Sequence, residues 1–217
     1  MSDSIASGAA PVLPGSLRFI ERDWLSANQI LGFDHDEAVV VDTGYVKHAA
    51  FTVALIRRAL AGAGEHAPGG VRLAGIVNTH LHSDHCGGNH ALSQAFGCPI
   101  TIPAASAADV AAWDEAALTL STTGQRCARF RHTATLAPGD TLRLGGLAWR
   151  VLAAPGHDPK SLIFHCEREG LLVSNGTGSQ RFAWSEFAAC METDDLMLLG
   201  LSLDSPAVSG ILARKAA

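Results

Sequence analysis

The chain has 217 residues, of which 47% are hydrophobic, enough for one sizeable core and short for a second independent domain. Its net charge of −5 offers no basic excess for a nucleic-acid backbone, and no apolar run is long enough to span a bilayer, the longest stopping at Asp204. The five cysteines (Cys86, Cys98, Cys127, Cys166, Cys190) are odd in number and include no Cys-x-x-Cys pair, so neither a thiolate zinc site nor a disulfide framework is expected, and the setting reads as reduced and cytoplasmic.

In chain order, residues 1–15 are rich in Ser, Ala, Gly and Pro and read as a disordered leader, because no basic segment precedes an apolar one. Residues 16–217 are expected to form a single domain, since no repeat or Pro/Gly-rich linker divides them. Val39-Val40-Val41 is a β-branched run closing on Asp42-Thr43-Gly44, the pattern of a buried strand ending in a turn. Residues 47–61 place apolar side chains at helical spacing, with Gly62 and Gly64 to end the helix. Residues 71–78 read as a second strand and 87–96 as a helix opening behind a histidine cluster. A short strand is expected over 99–102 and an alanine-rich helix over 104–118. Residues 141–144, 147–153, 162–165 and 171–174 read as strands joined by Gly-containing turns, and 187–199 looks helical. The sum is an α/β chain with a mixed sheet.

The chemistry gathers in the run Asn78-Thr-His-Leu-His-Ser-Asp-His-Cys-Gly-Gly-Asn89. Side chains alternate along an extended segment, so His80 and His82 point to one side and together can grip a cation. Asp84 and His85 follow where strand gives way to helix, aimed at an adjacent position. Gly87 and Gly88 carry no Cβ and let the backbone turn tightly there. Imidazole with carboxylate is a ligand set for zinc that also suits iron or manganese. The spacing differs from the His-Glu-x-x-His of helical zinc proteases, which relies on residues four apart. Cys86 reads as a small packing residue and Lys160 as a solvated turn lysine.

This pattern resembles the His-x-His-x-Asp-His motif of the metallo-β-lactamase superfamily, and more closely its glyoxalase II-like and lactonase-like hydrolases. Val41-Asp42-Thr43-Gly44 looks like the family's strand-end Asp-x-Gly element, and Ala154-Pro155-Gly156-His157 like its Pro-Gly-His element. The resemblance implies an αββα sandwich of the metallo-β-lactamase type. It implies His80, His82 and His157 as ligands of a first metal, and Asp84 and His85 as ligands of a second. Asp42 either orients a ligating histidine, as the resemblance implies, or caps a turn. One or two zinc ions, with iron or manganese as substitutes, would acidify water for attack on an ester, thioester, lactone or similar bond of a small molecule. Asp84 would be catalytic, orienting that water and taking its proton.

After about Ser174 the chain departs from the family pattern. Asn175 stands where a bridging Asp is expected, and no histidine follows His165. The C-terminal half of the sandwich is therefore expected to be incomplete, with 175–217 an atypical tail from truncation or a frameshift. Asp194 and Asp195 are expected to be exposed on a helix rather than ligands. Uncovered apolar surface would favour self-association. Two other functions stay open: a mononuclear iron dioxygenase of the same fold, and a truncated, catalytically weak or silent metal-binding protein.

Overall fold

The computed structural model describes residues 14–22, 25–64, 69–156 and 158–168, and the backbone of the strands at 171–173, 189–192, 197–200 and 211–213. The elements run β1 (Leu17–Ile20), β2 (Gln29–Asp34), β3 (Glu37–Val41), α1 (Ala49–Ala63), β4 (Arg72–Val77), α2 (Ser83–Cys86) and α3 (Asn89–Phe96). They continue with β5 (Ile100–Pro103), α4 (Ala107–Ala112), α5 (Leu120–Thr123), β6 (Ala134–Leu136), β7 (Thr141–Leu144), β8 (Leu147–Ala153) and β9 (Leu162–Cys166). Last come β10 (Leu171–Val173), β11 (Ala189–Glu192), β12 (Met197–Gly200) and β13 (Ile211–Ala213). Among the described residues no helix is long and apolar enough to cross a membrane.

One sheet has the order β1-β2-β3-β4-β5-β6. It is antiparallel from β1 to β3 and parallel from β3 to β6. A second, antiparallel sheet has the order β10-β9-β8-β7, and a third joins β11, β12 and β13. The first sheet is mixed, as expected, and its alternation sorts apolar side chains into two cores. Leu31, Val40, Ile76, Ile100 and Ile102 face Ile56 and Leu60 of α1 and Leu92 of α3. Their neighbours Ile30, Val41 and Val77 face Leu144, Trp149, Val151 and Phe164 of the second sheet. Three layers of an αββα sandwich result, helices on sheet on sheet. The central strands read as unbroken apolar runs because both faces are covered.

β8 shows the opposite pattern. Leu147, Trp149 and Val151 are buried while Ala148 and Arg150 are exposed, which is the alternation of a strand with one covered face. β2 was not apparent from pattern. Its Gly32 sits close against the second sheet: a Cβ there would lie 2.5 Å from Leu144 Cδ1 and 2.7 Å from Gly145 N.

Three expectations change. α1 runs two residues later than 47–61, after a 3-10 turn at Val46–His48, and Gly62 lies within it while Gly64 caps it. The helix expected over 104–118 ends at Ala112. Trp113 turns left-handed (φ 55°) and packs edge-on against Phe130, 5.5 Å between ring centroids. Asp114 then accepts from the N–H groups of Ala116 and Ala117 (both 3.0 Å) and starts a fresh turn. In the stretch expected to be helical over 187–199, Ala189–Glu192 forms β11 and 197–199 opens β12, paired with Cys190 opposite Leu199. Pairing on both sides of β12 overrides its local preference. Asp194, Asp195, Asn175 and residues 1–13 of the expected leader lie outside the described residues.

Candidate metal centre

The site forms at the C-terminal ends of β3 and β4, the edge of a parallel sheet where ligands characteristically sit. Parallel register sets Val41 beside Val77, so the next residues, Asp42 and Asn78-Thr79, meet beyond the strands. Asp42 adopts φ 59° and is 2% exposed. One carboxylate oxygen accepts from Thr79 N (3.0 Å), and the other from Thr79 Oγ1 and His85 Nδ1 (2.8 Å each). Asp42 thus orients His85, and its other bonds tie the strand end to Thr79 across the sheet edge rather than capping a turn of its own segment.

His80 and His82 follow in extended backbone, and His80 Nε2 lies 3.2 Å from His82 Nδ1. Two donors of one tetrahedral zinc ion, with bonds of about 2.0–2.1 Å, stand about 3.3–3.4 Å apart. The pair is thus spaced as two ligands of a single ion would be. α2 begins immediately after His82 and carries Asp84 and His85. The His80 and His85 rings are 3.8 Å apart at their centroids, and His85 Nε2 is 3.6 Å from Asp84 Oδ2. Because Asp42 accepts at Nδ1, the proton of a neutral His85 sits there and Nε2 keeps its lone pair toward Asp84.

The electrostatics of His85 are set by two opposed causes. Burial alone would push its pKa down, but the charge and hydrogen bond of Asp42, helped by Asp84 and Asp158, raise it above the ordinary histidine value. Three carboxylates focused on buried imidazoles make a negative pocket suited to a cation.

Supporting polar residues fix the backbone. Thr43 N and Asn78 Nδ2 both donate to the His85 carbonyl (2.7 and 3.2 Å). Asn89 Nδ2 donates to Asn78 Oδ1 (2.6 Å), and Thr43 Oγ1 to Asn89 Oδ1 (2.8 Å). Gly87 and Gly88 sit where a Cβ would fall 2.4 Å from Val46 N and 2.4 Å from Thr43 O respectively, so the helical segment is clamped on the 42–46 loop.

Cys86 is buried, with Cys127 Sγ 3.8 Å away. The Cys127 contact and burial hold its thiol well above the usual range, so it packs rather than reacts. Lys160 is not a solvated lysine: its ammonium pairs with Asp109 of α4. A residue without a motif also joins the site. Asp158 Oδ2 lies 3.4 Å from His82 Nε2, and its only sequence signal is its place beside the Pro-Gly-His turn.

His80, His82, Asp84 and His85 are thus brought together. His157, the expected third ligand of the first metal, lies outside the described residues, though its neighbour Asp158 touches His82. Among the described residues no three acidic, histidine or cysteine side chains are already drawn together as an ion's cage. In donor type and in the His80–His82 spacing, the residues fit a zinc-like ion.

The sequence profile of the metallo-beta-lactamase superfamily matches residues 22–181, a span that contains every group just described. The chain belongs to the metallo-beta-lactamase superfamily. A hydroxyacylglutathione hydrolase of Anaeromyxobacter dehalogenans is 33% identical over 137 residues, 63% of this chain and 44% of that protein. One from Acidiphilium cryptum is 38% identical over 147 residues, 60% of this chain and 51% of that protein. The chain thus spans about half, or less, of the length of these curated relatives. Among solved structures, BLEG-1 B3 metallo-beta-lactamase superposes with a TM-score of 0.56 at 22% identity, covering 72% of this chain and 69% of that one. That likeness is one of fold, and it agrees with the superfamily's layered architecture.

Proposed function

We propose that this member of the superfamily is a metal-dependent hydrolase of a small-molecule ester, thioester or lactone. The observation that carries the reading is the convergence of His80 Nε2 and His82 Nδ1, beside a His85 whose Nδ1 is held by Asp42 and whose Nε2 faces Asp84. His80 and His82, with His157, would hold a first ion, and Asp84 and His85 would hold or flank a second. When bound, such an ion supplies a Lewis acid that acidifies water and polarises a carbonyl.

The chain's own residues then have separable tasks. Asp42 keeps His85 in one tautomer and ring orientation. Asp84, whose side chain is 19% exposed beside His85, would accept a proton from water on its carboxylate. Burial and the Cys127 contact raise the Cys86 thiol, which disfavours its thiolate beside the cluster. The names of the similar hydroxyacylglutathione hydrolases favour a thioester over the other bonds. Four described cysteines are free thiols, which suits a reduced compartment such as the cytoplasm.

Asn175 supports a weak second position, because a neutral amide cannot offset the repulsion of two nearby cations. Turnover should accordingly be slow. Purified protein is assayed on an acylglutathione thioester and on a simple lactone, before and after treatment with a chelator. Thioester hydrolysis that disappears with chelator and returns with zinc is expected. Hydrolysis that survives complete metal removal contradicts the proposal.

A further inference from the structure

His82 presents a nitrogen to each of two neighbours. Nδ1 faces His80 Nε2 at 3.2 Å, and Nε2 faces Asp158 Oδ2 at 3.4 Å. A neutral imidazole has one donor and one acceptor nitrogen. If Nδ1 offers its lone pair to an ion shared with His80, the ring proton must sit on Nε2, directed at a carboxylate.

The carboxylate is itself held. Asp158 Oδ1 accepts from Lys160 N at 2.6 Å, and the Asp158 carbonyl accepts from Ser161 N at 3.1 Å. The Lys160 ammonium is anchored on Asp109 of α4. The loop between β8 and β9 is tied to the site from its far side as well, where Leu162 N donates to the Thr79 carbonyl at 2.8 Å. With its side chain 15% exposed, Asp158 keeps most of its charge out of water and facing the ring.

The arrangement is a looser counterpart, from the second sheet, of what Asp42 does for His85 from the first, an ion-pair contact at 3.4 Å in place of a hydrogen bond at 2.8 Å. In both cases a carboxylate faces one ring nitrogen while the other nitrogen faces a candidate ligand, Asp84 for His85 and His80 for His82. We propose that Asp158 is a positioning residue that fixes the ring and tautomer of His82 and thereby strengthens metal binding at the His80–His82 pair. The proposal rests on the metal-centre reading above. It makes metal affinity depend on the β8–β9 loop and, through Lys160, on α4.

The test compares full-length wild-type protein with Asp158→Asn, Asp158→Ala and Asp158→Glu. Zinc affinity is read by competition with a chromophoric chelator, and ligand geometry by the visible spectrum of the cobalt-loaded protein. Asn and Ala should weaken zinc binding by about 10- to 100-fold, the usual effect of removing a ligand's carboxylate partner. Both should shift the cobalt bands, and Asp158→Asn, which keeps an acceptor for Lys160 N, should leave the melting temperature of the metal-free protein unchanged, while Glu restores part of the affinity. Affinity and spectra equal to wild type in Asn and Ala overturn the proposal. So does a loss of affinity matched by a lower metal-free melting temperature and not recovered by Glu, which would make Asp158 structural. A wild-type chain that binds no zinc would instead overturn the metal-centre reading, and this inference with it.

Discussion

At Asp42 a single buried carboxylate serves the turn after β4 and the imidazole of His85 together, through Thr79 N, Thr79 Oγ1 and His85 Nδ1. Asp42→Ala removes the shared acceptor of three buried donors, with Thr79 Oγ1 still 3.2 Å from His85 Nδ1, and should destabilise the protein by about 1–3 kcal/mol, read by urea unfolding. Asp42→Asn keeps the volume and separates charge from shape. In the metal-free wild type the raised His85 pKa gives stability that is fully present below the unfolded value, about 6.5, and is lost as pH rises through the folded one. With Asn at 42 the largest opposing charge is gone, so the His85 pKa should fall and the pH-dependent stability should shrink. Titration of His85 by NMR checks the sign. An unchanged His85 pKa in that variant would remove Asp42 from the account.

At the scale of elements, the junction of α2 and α3 decides whether the donors converge. Gly88→Ala would press a methyl into the Thr43 carbonyl, 2.4 Å away, and neither partner is a flexible side-chain end. Overpacking of this kind costs about 1–3 kcal/mol. Because the strain falls between the 42–46 loop and the helix start, zinc affinity should drop along with stability. A variant with lowered melting temperature and wild-type affinity would show that the junction does not set the site.

The same elements show what the sequence made legible. Strands covered on both faces, such as β3 with Val39-Val40-Val41, announce themselves by composition, and β8 does so by strict alternation. The His80–His85 cluster was readable because its candidate ligands, on alternate residues and the following helical turn, are close in sequence. β1, β2 and β6 were not, since Gln29, Gly32 and the exposed Ala134 and Thr135 break any apolar pattern, and β6 finds its partner β5 only at long range, with Thr101 opposite Ala134. The helix break at Trp113 depends on Phe130, and the strands near 189–200 on each other, which no local window contains. Asp158 escaped for the same reason: its meaning lies in its contact with His82, 76 positions earlier in the chain.

Across the whole molecule, two cores hold two sheets and a helical layer so that three separate segments reach one edge. Asp42 comes from the end of β3, the His80–His85 run from the end of β4, and Asp158 from the loop between β8 and β9. The packing of Ile30, Val41 and Val77 against Trp149 and Phe164 fixes the distance between the sheets and hence between His82 and Asp158. The most direct test of this account is elemental analysis of exhaustively dialysed wild-type protein beside a His80→Ala, His82→Ala double variant. Close to one tightly held metal ion per wild-type chain is expected, with any second ion lost on dialysis, and none in the folded double variant. Equal metal in both proteins, or none in the wild type after refolding with zinc, would contradict it.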